Sequence, residues 1–358
     1  MSIKKIAKEA GVSTATVSRV LNNPGYKCSS EELRERIWKI ARELNYMPNE
    51  AARNLKKGIT DTSQKVWYLD VLMTRMGNLE TDPFFSELLR VIESEIHRQG
   101  CILMHIFHQP LFSNDRKCRT ENIDKVIAQM EPDGDIRSDG LIIIGKCNDN
   151  VLKKLSAKYK SIVSVNRNST NYLVDEVICD GKRIAAMAVE YLIGLGHRKI
   201  GYVGDCHNES RYKGYQDTLF QYGIDIDISF VIEAEHTEAE GYAVMERLIQ
   251  RGDAPTAIYC ANDMIAIGML KCLNKYKNRY YVPSIISSDD IEEAQYTRPM
   301  LTTVRLPKEE MGKFALYLLI DRLGGGHKGI VRTELEGKLM IRESCTLVEN
   351  ANRMEYYI

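Results

Sequence analysis

The chain has 358 residues, with 49 Lys+Arg and 49 Asp+Glu, a formal net charge of zero and 44% hydrophobic residues. Because no run of about 18 apolar residues occurs and the start is cationic, the sequence argues against a membrane span and a signal peptide. The nine cysteines are scattered, odd in number and without a Cys-x-x-Cys pair, which indicates reduced thiols. We therefore expect a soluble, cytoplasmic protein.

The first 22 residues have the pattern of two short helices joined by a tight turn. Apolar residues recur at three- and four-residue spacing on one face of the first helix, at Ile3, Ile6, Ala7 and Ala10. Gly11 ends that helix, and Ser13 is placed to cap the next one. The second helix turns Val17, Val20 and Leu21 inward. These spacings predict a helix-turn-helix.

The outer face of the second helix presents short, polar or cationic residues, namely Thr14, Ala15, Ser18, Arg19 and Asn22. Such a face suits a DNA major groove, because small side chains let the backbone approach and an arginine can fork onto a guanine edge. A third helix closes the core: Ser29 and Glu32 have the spacing of a capping box, and apolar residues repeat up to Asn45. The alternative is a small helical hairpin with a solvated polar face.

Charge separates this head from the rest of the chain. Residues 1–58 hold 12 Lys+Arg and 6 Asp+Glu, a balance of +6, whereas residues 59–358 hold 37 and 43, a balance of −6. A cationic head on an anionic body is attracted to phosphates without making the whole molecule adhere to nucleic acid. The asymmetry favours DNA binding over a solvated hairpin.

A basic segment at residues 48–58 predicts a hinge helix. Pro48 stops the third helix, Asn49 can cap a new one, and only about two turns fit before the next glycine. So short a helix is marginal in water, and we expect it to form only when DNA and a second copy of the chain provide packing partners. Ala52 and Leu55 share a face, and an apolar Leu55 in a basic segment suits a wedge between minor-groove base steps. The alternative is a solvated basic linker.

The head resembles the DNA-binding region of the lactose-repressor (LacI/GalR) family of bacterial transcription regulators, through the runs AKEAGVSTATVSRVLNNPG and ELNYMPNEAARNLKKG. The resemblance implies DNA contacts of three kinds. These are the base readers Thr14, Ala15 and Arg19, the phosphate contacts Ser13, Thr16, Ser18 and Asn22, and the hinge positions Asn49, Ala52 and Leu55, with Leu55 as the wedge.

The remaining chain alternates short apolar runs with helical patterns. Strands are expected at 66–73, 101–107, 140–145, 162–165, 199–203, 257–260 and 282–287, and helices at 84–98, 122–130, 181–195, 209–222, 238–251, 263–276 and 308–323. Such alternation predicts parallel sheets with helices on both faces. Ligands bind outside the carboxyl ends of such strands, so the loops after the strands are expected to form the site.

Those loops contain amides, carboxylates and arginines, at Asp82-Pro83-Phe84-Phe85, Asn166-Arg167, Glu209 to Arg211, Asn262-Asp263 and Asp289-Asp290. Such groups beside two aromatic rings suit a polyhydroxylated ligand, because each hydroxyl needs a donor and an acceptor and a ring covers the apolar side of a sugar or base. Each piece has a structural alternative. Phe84 and Phe85 could be core residues of an amphipathic helix, and Asn262-Asp263 could cap the next helix.

The family resemblance extends over nearly the whole chain, through EYLIGLGHRKIGYVG, PTAIYCANDMIAIG, RPMLTTVRLPKEEMGKFA and the closing IRESC. These segments look like the family's effector domain, itself similar to periplasmic sugar-binding proteins. The resemblance implies effector contacts at Phe84, Phe85, Asn166, Arg211, His236, Asn262 and Asp289. Asn166 stands where the family often has Asp, and Leu306 where it often has Gln, so we expect a ligand less hydroxylated than a typical hexose, or one bound differently.

The sequence offers no arrangement for catalysis or for a metal. There is no Gly-x-Ser-x-Gly elbow, and the glycines from Gly324 to Gly326 follow a predicted helix, as a helix stop does. Cys101, His105 and His108 cannot all share one face of a strand, and no carboxylate accompanies them. We expect no enzyme activity, no metal and no cofactor.

The predicted fold is an all-α helix-turn-helix head with a hinge helix, followed by a periplasmic-binding-protein-like α/β body of two doubly wound parallel-sheet lobes. The expected boundaries are 1–47 for the head, 48–58 for the hinge, 59–65 for a linker, 66–350 for an effector-binding and dimerisation domain and 351–358 for a tail. Lobe 1 is expected at about 66–160 plus 295–329, and lobe 2 at about 161–294 plus 330–350.

The expected function is that of a homodimeric transcription repressor that binds a pseudo-palindromic operator in double-stranded DNA. Its small-molecule effector, a sugar or sugar derivative, is expected to bind between the lobes. Two alternatives stay open: a nucleobase or nucleoside as effector, or a partner protein in place of a small molecule. The partner would dock on solvent-exposed residues of the first-lobe helix, Glu87, Arg90, Val91 and Glu95, whose structural alternative is a solvated helix face. The tail after Cys345 is too short for a tetramerising coiled coil.

Overall fold

The computed structural model describes residues 3–14, 16–17, 20, 30–43, 66–75, 82–113, 117–130, 137–207, 209–276 and 281–350. The chain divides into two compact units, Met1–Val66 and Trp67–Ile358. Among the described residues, no helix combines the length and the apolar character needed to cross a bilayer.

The N-terminal unit is a small helical domain. Its helices include Ile3–Ala10 and Glu31–Glu43, and Thr14, Thr16, Val17 and Val20 are also helical. Gly11 has the positive φ of 68° that ends the first helix, and Ser13 Oγ accepts the amide of Thr16 at 3.1 Å, as predicted for a helix cap. The described core consists of Ile6, Ala7, Ala10, Val17, Val20 and Ile37, as the spacing predicts.

The third helix of this unit begins one residue later than its predicted capping box. The amide of Leu33 donates to Ser30 Oγ at 3.2 Å, so Ser30 is the cap, and Ser29 lies outside the described residues. Two adjacent serines offer the same local chemistry, and packing decides between them. The helix from Glu31 turns Leu33 and Ile37 toward the core.

The second unit contains two six-stranded sheets. The first sheet has the order β11-β5-β4-β3-β1-β2, with β1 at Tyr68–Met73, β2 at Ile102–His108, β3 at Gly140–Ile144, β4 at Ser161–Asn166, β5 at Asp175–Ile178 and β11 at Arg332–Glu334. The second sheet has the order β12-β10-β9-β8-β6-β7, with β6 at Ile200–Gly204, β7 at Val231–Glu233, β8 at Ala257–Cys260, β9 at Ser284–Asp289, β10 at Thr302–Arg305 and β12 at Lys338–Met340. Only the pairing of β10 with β12 is antiparallel among the described strands.

Helices alternate with these strands as predicted. The described helices of the body are Pro83–Arg98, Lys117–Thr120, Ile123–Ala128, Asp149–Ser156, Gly181–Gly194, Ser210–Gln221, Glu238–Ile249, Asp263–Tyr276 and Lys308–Leu323. Short 3-10 turns occur at Pro110–Ser113, Ile228–Phe230, Glu292–Gln295 and Val348–Asn350. Helices between successive parallel strands cover the sheets, which explains why central strands such as β3, β8 and β9 are buried along their whole length.

One acidic residue interrupts the apolar interior of β1. Asp70 is buried, and it accepts hydrogen bonds from the hydroxyl of Tyr159 at 2.8 Å and shares one of 3.0 Å with Nδ1 of His105 on the neighbouring strand. His105 is therefore engaged within the fold. No group of three His, Cys, Asp or Glu in the described part of the chain is arranged to hold a metal ion. Cys28 aside, all the cysteines are described, and they are free thiols.

The predicted division of the body into lobes is wrong in three places. The chain from about 161 was expected in lobe 2, but β4 and β5 extend the first sheet beside β3. The segment 295–329 was expected in lobe 1, but β10 joins the second sheet. Residues 330–350 were expected in lobe 2, but β11 pairs with β5. Apolar alternation locates strands without telling which sheet they join, since both sheets bury the same residue types.

In the observed topology the chain crosses from one sheet to the other three times: after β5, between β10 and β11, and between β11 and β12. The helix Lys308–Leu323 lies against β3, β4, β5 and the helix Pro83–Arg98, so it belongs to the first lobe. The first lobe therefore consists of the first sheet with these helices. The second lobe consists of the second sheet with the helices from Gly181 to Tyr276.

Candidate functional sites

The described part of the predicted DNA-reading face lies at the start of the second helix of the head. Ser13 and Thr14 are exposed and Thr16 is half-buried, and the hydroxyls of Ser13 and Thr16 lie 2.9 Å apart. Three polar side chains thus surround a helix N-terminus, a place suited to a phosphate. The other predicted DNA contacts lie outside the described residues: Ala15, Ser18, Arg19, Asn22, Asn49, Ala52 and Leu55.

In the body, two aromatic rings begin the helix Pro83–Arg98. Asp82 caps this helix by accepting the amide of Phe85 at 3.4 Å. Phe84 and Phe85 are 2% and 7% exposed, and their ring centroids lie 5.2 Å apart in an edge-to-face arrangement. Burial makes both rings part of the core, as the structural alternative predicted. Phe84 nevertheless keeps one face turned toward a charged group.

That charged group is Arg167, which directly follows β4. Its guanidinium carbon lies 4.3 Å from the centroid of Phe84, within the range of a cation–π contact. Its Nη2 forms an ion pair with a carboxylate oxygen of Asp289, which ends β9 of the second sheet. The Nε of Arg167 is buried and has no hydrogen-bond partner among the residues that the structure describes. Arg167 therefore joins the two lobes across the site, with one donor unused.

Asp289 is held by a strained turn. Asp289 and Asp290 have positive φ angles of 128° and 50°, which non-glycine residues rarely adopt. The carboxylate of Asp290 binds both Arg305 and Arg342 at 2.5 Å, and these ion pairs stabilise the turn. Burial raises the pKa of Asp289 to about 6, although the charge of Arg167 opposes the shift.

A second carboxylate–arginine pair lies on the second lobe. Glu209 caps the helix Ser210–Gln221, and its Oε1 accepts from Nε of Arg211 at 3.0 Å. Arg211 is 1% exposed, and its Nη1 donates to the carbonyl of Ala261. Burial alone would raise the pKa of Glu209, but the charge of Arg211 and this hydrogen bond hold it well below its usual range.

The loops after β7 and β8 meet beside Arg211. Nη2 of Arg211 lies 3.5 Å from Nε2 of His236, and the amide of Asn262 donates to the carbonyl of His236 at 3.3 Å. Asn262 also caps the following helix by accepting the amide of Ile265 at 3.1 Å, as its structural alternative predicted. Burial and then the charge of Arg211 lower the pKa of His236. The imidazole is therefore neutral at physiological pH.

Asp263 is a buried carboxylate that binds the segments next to the site. One of its carboxylate oxygens accepts from the hydroxyls of Ser287 and Thr303, both at 2.6 Å, and the other accepts the amide of Ile291 at 2.8 Å. Burial, together with the charge of Asp289, raises its pKa to about 7. These bonds connect β9, β10 and the turn that presents Asp289, so Asp263 positions that turn.

The side chain of Asn166, a predicted effector contact, forms hydrogen bonds within its own loop. Its Oδ1 accepts the amide of Arg167 at 2.7 Å, and its Nδ2 donates to the carbonyl of Asn168 at 3.2 Å. The same loop meets the second lobe, where Ser210 Oγ donates to the carbonyl of Arg167 at 3.1 Å. A Cβ at Gly181 would lie 2.0 Å from that hydroxyl, so this approach requires glycine.

The structure thus brings the other predicted effector positions to one place, at the carboxyl ends of parallel strands from both lobes. Phe84, Phe85 and Asp289 meet around Arg167, and Arg211, His236 and Asn262 form the adjoining wall. Two cations there were not predicted. Arg75, just beyond β1, has its Nη2 3.6 Å from Glu209 Oε2, and Lys308 Nζ lies 5.8 Å from the Phe84 centroid. Arg75 lies almost directly after the first strand, so a search for charged residues immediately after each predicted strand would have found it.

The helix face proposed for a docking partner is not a free surface. Glu95 is buried and pairs with Arg98, and Glu87 pairs with Lys308. Val91 is half-buried, and only Arg90 is exposed. The expected exposure is wrong because the helix Lys308–Leu323 packs against this face, a contact between segments more than 200 residues apart in the sequence.

Comparison with known proteins identifies two families of domain. A model described as "Bacterial regulatory proteins, lacI family" matches residues 2–49, and one described as "Periplasmic binding protein-like domain" matches residues 189–345. Together they match the head and the larger part of the body.

Two transcriptional repressors match nearly the whole chain. The HTH-type transcriptional repressor MelR of Bacillus subtilis (strain 168) is 31% identical over 357 residues, covering 96% of this chain and 97% of MelR. The repressor PurR of Haemophilus influenzae (strain PittEE) is 29% identical, covering 96% and 98%.

Solved structures share the fold. A transcriptional regulator CelR–cellobiose complex has a TM-score of 0.64 at 24% identity, covering 96% of this chain and all of that one. A lac repressor dimer bound to operator and the anti-inducer ONPF has a TM-score of 0.64 at 22% identity, covering 97% and 99%.

Proposed function

Because this chain belongs to the lacI family of bacterial regulatory proteins, and is therefore a DNA-binding transcription regulator and not an enzyme, we propose that it is a repressor controlled by a small molecule bound between its two lobes. The observation that carries this proposal is the interlobe site itself. Phe84 and Arg167 on the first lobe face Asp289 and Arg211 on the second. A ligand that contacts both walls couples its binding to the closure of the lobes.

The proposed DNA-bound form is a homodimer that binds both halves of a pseudo-palindromic operator in the cytoplasm. Two heads of residues 1–47 read the major groove, and two hinge helices of residues 48–58 insert Leu55 into the minor groove. Lobe closure changes the spacing of the hinges across the dimer and so shifts the equilibrium between formed and frayed hinge helices. A ligand can change DNA affinity only by its preference between closure states, typically about 1 to 3 kcal/mol.

We infer a sugar or sugar derivative as the effector. Asp289 and Asn262 provide buried hydroxyl partners, and a ligand that displaced Arg167 from Phe84 would place an apolar face against that ring. The CelR relative binds cellobiose, which agrees with a carbohydrate site in this fold. Asn166 bonds within its own loop, which favours fewer hydroxyl contacts on the first lobe.

A nucleobase or nucleoside is the second candidate effector. The observation that favours it is the planar guanidinium of Arg167 over the ring of Phe84, since a flat heterocycle that displaced the guanidinium would stack on the same ring.

Thermal-shift screening of the full chain with sugars and nucleosides tests the proposal and separates the two effectors. A compound that binds the site should raise the melting temperature of the wild type and lose that effect in Arg211→Ala. Arg211→Lys keeps a positive charge beside Glu209, which controls for loss of folding, and Arg90→Gln is a matched surface change on the first lobe. A compound that stabilises all four proteins equally binds elsewhere and would overturn this assignment of the site.

A further inference from the structure

The side chain of Arg167 occupies the place between two predicted effector contacts. Its guanidinium carbon lies 4.3 Å from the ring centroid of Phe84, and its Nη2 pairs with a carboxylate oxygen of Asp289. Arg167 and Asp289 are both buried. A ligand cannot stack on that face of Phe84 and bond that oxygen of Asp289 while the guanidinium is there, because two groups cannot fill the same volume.

The same side chain joins the two lobes. Phe84 lies on the helix Pro83–Arg98 of the first lobe, whereas Asp289 ends β9 of the second sheet. The other ion pair that crosses the site, Arg75 with Glu209, is longer, at 3.6 Å, and uses neither of these predicted effector contacts. A buried ion pair is screened less by solvent and salt than an exposed one. The Arg167 contacts therefore hold the lobes together with groups of the chain itself.

The main chain of Arg167 is anchored independently of its side chain. Its amide donates to Oδ1 of Asn166 at 2.7 Å, and its carbonyl accepts the amide of Gly181 and the hydroxyl of Ser210, both at 3.1 Å. The buried Nε, by contrast, has no hydrogen-bond partner among the described residues, and an unsatisfied buried donor costs free energy. The guanidinium can therefore leave its place while the loop stays where it is.

We propose that Arg167 is a built-in competitor of the effector: it holds the lobes together in the effector-free repressor, and an effector must displace its guanidinium from Phe84 and Asp289. A replacing ligand presents a flat or apolar face to the ring and a hydrogen-bond donor to the carboxylate. The competition lowers the apparent affinity in proportion to the fraction of chains whose guanidinium has left. Arg167 thus sets the effector concentration to which the repressor responds. This inference rests on the proposed function, since it concerns the regulation of the same site.

Chemical rescue with guanidinium chloride tests the internal contact without any effector. Arg167→Ala removes the side chain, and free guanidinium ion at millimolar concentration, far below what unfolds proteins, can occupy the vacated place. We expect Arg167→Ala to melt at a lower temperature than the wild type and to change operator affinity about fivefold or more. Guanidinium chloride should return both quantities toward the wild-type values, whereas sodium chloride at equal ionic strength should not.

Three variants control the rescue. Arg90→Gln, an exposed arginine of the same lobe, should behave as the wild type, and Arg167→Lys, which keeps the charge without the planar fork, should lie between wild type and Arg167→Ala. The double variant Arg167→Ala, Asp289→Asn leaves no unpaired buried carboxylate, so its folding does not depend on one. It should keep the altered operator affinity and ignore guanidinium. Wild-type operator affinity in the double variant, or an undiminished response to guanidinium, would overturn the inference.

Effector affinity distinguishes a competitor from a contact. A compound that the thermal-shift screen places at Arg211 should bind Arg167→Ala about tenfold more tightly than the wild type, because no internal group has to leave. Equal or weaker binding to Arg167→Ala would show that Arg167 does not compete with the effector. Failure of the proposed function gives a different result, since no compound then changes the operator affinity of the wild type.

Discussion

At the residue scale, two ion pairs cross between the walls of the interlobe site. Arg75 and Arg167 of the first lobe pair with Glu209 and Asp289 of the second. The position of Asp289 after a strand was predictable from the sequence, because parallel strands place their carboxyl ends together. The role of Arg167 was not, since Asn166 and Arg167 are neighbours in one loop and only the fold shows which one crosses to the other lobe.

The raised pKa of Asp289 predicts a pH-dependent stability. Its pKa rises from an ordinary 3.8 to about 6 in the folded chain, so between about pH 4 and about pH 6 the folded state keeps a proton that the unfolded state has lost. The free energy of unfolding therefore falls as pH rises through this window. Relative to wild type, Asp289→Asn should gain about 2 to 3 kcal/mol between about pH 4 and about pH 7.

Urea unfolding of both proteins at the two pH values measures this gain, with Asp225→Asn on the surface as the control. A difference between Asp289→Asn and wild type that stays constant with pH would contradict the account.

Arg19, proposed as a base reader, predicts a change in sequence preference. Arg19→Ala should weaken operator binding by roughly 1 to 3 kcal/mol and relax the preference at one base position, because a forked contact to guanine is lost. Binding measured on a set of operators with single substitutions tests this. An equal loss on every sequence would instead make Arg19 a phosphate contact.

At the element scale, long periodic segments were predictable and short strands were not. The helix expected at 263–276 is found as Asp263–Tyr276, and the one expected at 308–323 as Lys308–Leu323. The strands β7, β11 and β12 have three residues each, and their sequences VIE, RTE and KLM carry no periodic signal. They form at the sheet edges because a neighbouring strand is already there, which is tertiary rather than local information.

The hinge is the element that connects effector binding to DNA binding in this proposal. Leu55→Ala should weaken operator affinity by about tenfold and leave the bound DNA straighter, because the wedge no longer props the minor groove open. Fluorescence anisotropy gives the affinity, and energy transfer between the operator ends gives the bend. Unchanged affinity and unchanged bend would remove Leu55 from the mechanism.

At the scale of the whole molecule, a net charge of zero hides a head of +6 and a body of −6. Composition predicted this division, but it did not predict how the two lobes share the chain. Three passages between the sheets place β10 in the second lobe and the next helix in the first. An effector that moves one lobe therefore acts on several connections at once.

The charge of the head predicts a strong dependence of operator binding on salt. Raising the salt concentration from about 50 to about 200 mM should lower the affinity by about a thousandfold or more, since bound phosphates release their counterions. Affinity that varies little over this range would contradict a phosphate-binding head.

The central claim is that the interlobe site controls operator binding from a distance. The most direct test measures operator affinity of the full chain with and without a compound that stabilises it through Arg211. For the wild type we predict a change of about 5- to 150-fold, and for Arg211→Lys and Arg211→Ala wild-type affinity without the compound and a much smaller response to it. A compound that occupies the site yet leaves the operator affinity of the wild type unchanged would contradict the account.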